Sequence, residues 1–238
     1  MRKYSLSLVA LSTFFAYQGH SEFNFGVMGG GNYTTFTSGV TASTSISSTT
    51  YSGSLGPSGL LGYQFGGLFR YDQDTWAFEA DLLYTNRSAK WAGELSDGAS
   101  STVRNSIELT LRQIELPIIG YYKVKTETFA DYRFGLGMYV SYGIQKISVD
   151  SNYSNVPGSV VNVSRDYTWS EFGFKRINFG GLFGLASDFK IGQATKLGVE
   201  LRGQVTFNNM TDTLNPSFGT GGDKIGLGSI DILVSYLF

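Results

Sequence analysis

From Glu22 to Phe238 the chain places apolar residues at every second position in one segment after another, without collecting the run of about eighteen apolar residues that a membrane-spanning helix needs. The last ten residues show the pattern most cleanly. Ile230, Ile232, Val234, Tyr236 and Phe238 fall on one face of an extended strand, and Asp231, Leu233, Ser235 and Leu237 on the other. A period of two needs an extended backbone with a different medium on each side. Alone, it fits a half-buried strand of any sheet.

Eight such segments can be drawn: 22–36, 58–71, 76–91, 106–123, 131–149, 171–187, 196–209 and 224–238. Each reaches the roughly ten residues that cross a bilayer as a tilted strand. Polar connections at 37–56, 92–104, 150–170 and 210–223 alternate with short ones at 72–75, 124–130 and 188–195. In the fourth segment the apolar face changes phase, from Ile107, Leu109 and Leu111 to Ile114, Leu116 and Ile118, which predicts a β-bulge near Arg112 and Gln113. Aromatic side chains gather at the segment ends: Tyr71, Trp76, Tyr122, Tyr132 and Phe238 at one set, Tyr33, Trp91 and Tyr142 at the other. Paired girdles of this kind suit the two headgroup levels of a membrane. The expectation is an all-β fold: a closed eight-stranded antiparallel transmembrane β-barrel of up-and-down meander topology, residues 22–238, preceded by a cleaved signal peptide, residues 1–21.

The amino terminus carries that last expectation. Arg2 and Lys3 precede a short apolar region from Tyr4 to Tyr17, and the small residues Gly19 and Ser21 follow. Loss of Arg2 and Lys3 takes the formal charge from −1 to −3, which gives no general attraction to nucleic acid. Cysteine is absent, and the single histidine, His20, lies within the leader. A mature chain without His or Cys has no Ser-His or Cys-His nucleophile pair and no His or Cys metal ligand. No catalytic, metal or cofactor site is expected.

With the apolar face outward, the other face lines the interior. It contributes Arg70, Glu79, Asp81, Arg87, Arg112, Glu115, Arg133, Arg176, Glu200, Arg202 and Asp231. Eight strands enclose only enough space for side chains to fill, so mixed charges there are expected to pair off as a plug. A narrow pore for ions or small polar solutes is the alternative. A histidine-free lipid-modifying enzyme using Glu79 and Asp81 is a second, although the neighbouring arginines account for those carboxylates as counter-charges. The long loops are the place for a structural or surface-interaction role, with outer-membrane lipid, lipopolysaccharide or another surface partner, in a chain expected to be a monomer.

Two stretches resemble known families. Alternating bulky residues ending on Phe238 look like the signal by which bacterial outer-membrane barrels engage their assembly machinery, which would make Ile230, Ile232, Val234, Tyr236 and Phe238 that signal. Asp81-Leu82-Leu83-Tyr84, with Ile114-Glu115-Leu116-Pro117-Ile118-Ile119 and Tyr121-Tyr122-Lys123, resembles segments of the PorT-like outer-membrane β-barrel family, itself similar to eight-stranded barrels of the OmpX and OmpA type. Asp81 stands where that family's pattern has Glu. The resemblance implies residence in the outer membrane of a Gram-negative cell and assigns no activity.

Overall fold

A computed structural model describes residues 22–46, 48–99, 101–124, 126, 130–155, 159–192, 195–211 and 225–238. The expected signal peptide and most of the last long loop lie outside the described residues. Among the described residues eleven strands form one sheet: β1 (Glu22–Phe36), β2 (Val40–Ile46), β3 (Thr49–Asp72), β4 (Trp76–Ser96), β5 (Thr102–Val124), β6 (Ala130–Gly143), β7 (Ile147–Asn155), β8 (Ser159–Tyr167), β9 (Ile177–Lys190), β10 (Lys196–Thr206) and β11 (Leu227–Leu237). A single helical turn, α1 (Trp169–Phe172), precedes β9.

Eight of the strands close on themselves. The antiparallel ladder runs β1–β3–β4–β5–β6–β9–β10–β11, and β11 returns to β1 from Gly26 opposite Leu237 to Phe36 opposite Leu227. Closure matters because the outer wall is an apolar belt, including Phe25, Phe65, Leu82, Leu136, Phe183 and Ile232, which offers backbone groups no hydrogen-bond partner. A ring leaves no edge to satisfy.

The remaining strands build upward from the ring. β2 pairs with the first part of β3, β7 pairs with β5 from Arg104 to Thr110, and β8 pairs with β7. At the end carrying the long connections, β3, β4 and β5 therefore continue as an open sheet of order β2–β3–β4–β5–β7–β8. The first and third polar connections are thus largely hairpin. The fifth expected segment divides, because β6 stops at Gly143 and the chain turns through 144–146 before β7; the sixth begins only at Ile177, after α1.

The outward environment changes along these strands, and the inward side chains change with it. In the lower half, the even residues of β4 and β5 (Phe78, Leu82, Leu116, Ile118) face out and are apolar, while Glu79, Asp81 and Glu115 face in. Higher up, water replaces hydrocarbon outside, and the same inward faces become apolar: Ala89, Trp91 and Leu95 on β4, and Val103, Ile107, Leu109 and Leu111 on β5. They join Phe36, Leu55, Val149, Trp169, Phe172 and Met210 in one core. Trp91 stacks on Phe36 at 3.9 Å and 11°, and its indole N–H donates to the Ser38 carbonyl at 2.9 Å. Trp169 donates to the Gln145 carbonyl at 2.6 Å and lies so flat on Gly143 that a methyl group there would collide with the ring. α1 is fixed by a capping box: the Thr168 hydroxyl accepts from the Glu171 N–H, and the Glu171 carboxylate accepts from the Thr168 N–H.

This inversion corrects two expectations. The change of phase in the fourth segment is no bulge: β5 stays in register with β4 from Ser96 opposite Thr102 to Leu83 opposite Glu115, with the same face inward throughout. The register shift lies in β3, between Gly59 and Tyr63, and it turns inward parity from odd (Tyr51, Leu55) to even (Gln64, Leu68, Arg70). Trp91, expected at an interface, is interior.

The three tryptophans report on this arrangement. In single-tryptophan proteins reconstituted with brominated lipid, Trp76, half exposed on the outer wall, should be quenched, while Trp91 and Trp169, each 1% exposed, should not. Equal quenching of Trp76 and Trp91 would contradict the inverted upper core.

Candidate functional site

The lumen of the ring holds two tiers of ion pairs. Glu79 of β4 is the centre of the lower tier, with three guanidinium groups around it: Arg70 at 2.7 Å, Arg133 at 3.4 Å and Arg202 at 3.4 Å. Arg70 and Arg133 also share Asp188, at 3.0 and 2.8 Å. Arg202 reaches Asp81 at 3.0 Å and Glu200 at 2.8 Å, while the Tyr121 hydroxyl donates to Glu200 at 2.6 Å. The Arg133 guanidinium lies 4.4 Å from the Tyr121 ring centre. Above this, Arg87 meets Glu115 at 3.1 Å and Asp231 at 3.4 Å, and donates to Ser229 and Gln204 at 2.6 and 2.8 Å.

The backbone makes this packing possible. Inward positions facing the large side chains are small: a methyl group at Gly135 would strike Tyr121, and one at Gly180 would strike Tyr139. The tier members come from inward register positions on seven strands of the ring, so each guanidinium sees carboxylates from two strands. Planar, multidentate Arg–carboxylate contacts are the arrangement best able to offset the cost of taking both charges out of water.

Above Arg87 lies a chamber of about 10 Å³ bordered by Gln113, Tyr139, Ser141, Asn178 and Thr206, closed on top by Met210 and Leu227 of the upper core. That volume holds about one water molecule. At the opposite end a vestibule of about 670 Å³ opens among the short turns, where Lys123 pairs with Asp72 at 2.8 Å and Lys196 with Glu22 at 3.4 Å.

Nine residues of the expected interior set meet in these tiers: Arg70, Glu79, Asp81, Arg87, Glu115, Arg133, Glu200, Arg202 and Asp231. Arg112 and Arg176 do not. Without a bulge in β5, Arg112 keeps the outward parity of Ile114 and Leu116, and Arg176 precedes the start of β9 and is exposed, 3.5 Å from the Tyr142 hydroxyl. Asp188, expected in the connection at 188–195, joins the set, because β9 extends to Lys190 and gives it the inward parity of Asn178 and Ala186. Tyr121 and Tyr139 also belong: their parity, opposite to Tyr122 and to Met138 and Val140, turns them inward, although their aromatic character gives no sign of it. Among the girdle residues, Tyr33, Trp76, Tyr122, Tyr132 and Tyr142 are exposed on the outer wall, while Tyr71 is covered there by Phe23, ring centres 4.8 Å apart. Ile230, Ile232, Val234, Tyr236 and Phe238 all lie on the outer wall.

Removing Arg202 takes from the buried carboxylates of Asp81 and Glu200 their guanidinium partner and from Glu79 one of its three. Arg202→Ala should lower stability by about 3–5 kcal/mol in urea unfolding of detergent-folded protein, whereas Arg176→Ala should change it by no more than about 0.5 kcal/mol. Equal effects would contradict the placement of the two arginines.

Among curated proteins, none matches the chain. Solved structures with similar course include Ail, the attachment invasion locus protein of Yersinia pestis, in complex with the heparin analogue sucrose octasulfate (9% identity, 91% of this chain and 99% of that one, TM-score 0.33). Neisserial surface protein A shows 13% identity over 89% of this chain and 95% of its own, TM-score 0.40. OprG from Pseudomonas aeruginosa shows 14% identity over 93% and 98%, TM-score 0.41. The family model described as "Outer membrane protein beta-barrel domain" matches residues 15–212. The PorT-like label is not among these matches. With most of its length inside that match, the chain belongs to the outer-membrane protein β-barrel domain family and resides in the bacterial outer membrane.

Proposed function

We propose that this chain is a non-conducting, non-catalytic surface barrel whose work is done by the sheet and loops at its long-hairpin end. The observation that carries the reading is how the lumen is filled: two tiers of interlocked ion pairs, a chamber of about 10 Å³, and an apolar core above it. In barrels of this class the short turns face the periplasm and the long connections face outside. The open sheet β2–β3–β4–β5–β7–β8 then stands on the cell surface, its outward face rich in Ser, Thr and Asn, such as Ser52, Ser54, Ser106 and Asn152. A polar face on a rigid stem suits contact with a surface partner without demands on the lumen. The carboxyl-terminal pattern on the outer wall supports recognition by the barrel-assembly machinery.

Planar-bilayer recording tests the sealed lumen. Protein refolded to a heat-modifiable barrel should give no discrete current steps. Steps whose size shifts when Arg70, Glu79 or Arg202 is neutralised would establish the pore reading instead.

A further inference from the structure

The open sheet has two edges, and the ladder fixes how they face. β2 is antiparallel to β3, β3 to β4, β4 to β5, β5 to β7 and β7 to β8, and the outer edges of β2 and β8 pair with no other strand among the described residues. Five reversals leave β2 and β8 running in opposite directions. Copies of the chain in one membrane stand the same way up. The β8 edge of one copy therefore meets the β2 edge of the next in antiparallel orientation, with the outward faces of both sheets on one side. A β2–β2 or β8–β8 contact between such copies is parallel, the weaker pairing.

Neither edge carries the devices that keep strands apart, which in exposed edges are lysine, proline or a bulge. β2 has no charged residue and no proline, and its ladder with β3 has no register shift. β8 confines its charges, Arg165 and Asp166, to its last three residues, and its ladder with β7 is equally regular. The inward face gives a second sign. Val40 and Ala42 of β2 and Val149 of β7 are buried, yet Val163, on the same face at the β8 edge, is 49% exposed. A strand added beyond β8 covers it. Six strands at about 4.8 Å span roughly 29 Å, and eight strands tilted by about 40° close a ring roughly 16 Å across its backbone, so sheets joined edge to edge leave room for the side chains of two neighbouring walls.

We propose that the surface sheet is an interface between copies of this chain: β8 of one pairs with β2 of the next in a continuous antiparallel sheet, a head-to-tail contact that builds rings or rows in the plane of the membrane. The inference rests on the reading of the open sheet as the working part of the barrel at the cell surface, and it names the partner of that sheet's edges. The monomer expected from the sequence is then the unit of a larger assembly.

The test is thiol cross-linking on intact cells, in a chain with no cysteine of its own. Ser43 of β2 and Asn162 of β8 are exposed on the outward face. A disulfide needs Cα atoms within about 7 Å, so cells producing Ser43→Cys together with Asn162→Cys should yield, on mild oxidation, at least about tenfold more covalent dimer than cells producing either alone. Ser164→Cys in place of Asn162→Cys samples the neighbouring register. One chain with both cysteines should give a ladder of multimers, since its own edges lie five strand spacings apart, roughly 24 Å. Val163→Lys, which puts a charge on the uncovered edge, should cut the mixed dimer by about tenfold, and Val163→Ile should keep it, both in barrels of unchanged heat-modifiable mobility. A membrane-impermeant maleimide separates two failures. Thiols that label on intact cells yet form no mixed dimer, or form same-residue dimers as readily, would overturn the proposal and leave the surface reading standing. Thiols that react only after lysis would overturn both.

Discussion

Hydrocarbon accepts no hydrogen bonds, and the lower wall of this protein is organised by that prohibition. Every backbone group in the ring has to find its partner in an adjacent strand, which forces β11 back onto β1. Side chains that face lipid must be apolar. The interior of so narrow a ring then receives whatever the other parity carries, and here it carries charge. Four arginines and six carboxyl groups share the tiers around Glu79 and Arg87 because no other place on those strands could hold them.

Where the wall leaves the membrane, the same logic runs backwards. Water outside makes an apolar interior favourable, and Trp91, Leu95, Ile107 and Leu109 pack with Phe36, Trp169 and Phe172 as they would in a soluble sheet. One protein therefore contains two cores of opposite character stacked along shared strands. The boundary is the small polar chamber above Arg87, where Gln113, Tyr139 and Asn178 separate ionic from apolar packing.

Much of the lower half was legible in the sequence, since its alternation is continuous and its turns are short. The ring strands, the outer belt and most of the lumen set follow from parity alone. What parity could not reveal was a change of medium. At Leu111 to Ile114 the apolar face switches although the strand does not, and a one-dimensional pattern cannot distinguish a shifted backbone from a shifted solvent. Reading the switch as a bulge misplaces Arg112, while the place of Trp91 at the end of its segment suggests an interface although its parity is inward. The bulge that exists, in β3 between Gly59 and Tyr63, is hidden among glycine and leucine residues whose faces carry little contrast. Asp188 was lost for a different reason: strand ends are set by pairing partners, here Asp131 of β6 and Gly198 of β10, which the local sequence does not name.

β4 and β5 run unbroken from the short-turn end to the top of the open sheet, and they carry Arg87 and Glu115 on the way. They act mechanically as two stiff rods with an ionic clasp partway along. A load applied to the surface sheet has no slack segment in which to dissipate between Ser96 and Trp76 or between Thr102 and Val124. The open sheet and the Arg87 tier are therefore parts of one continuous hydrogen-bonded backbone, and a displacement of one is carried to the other.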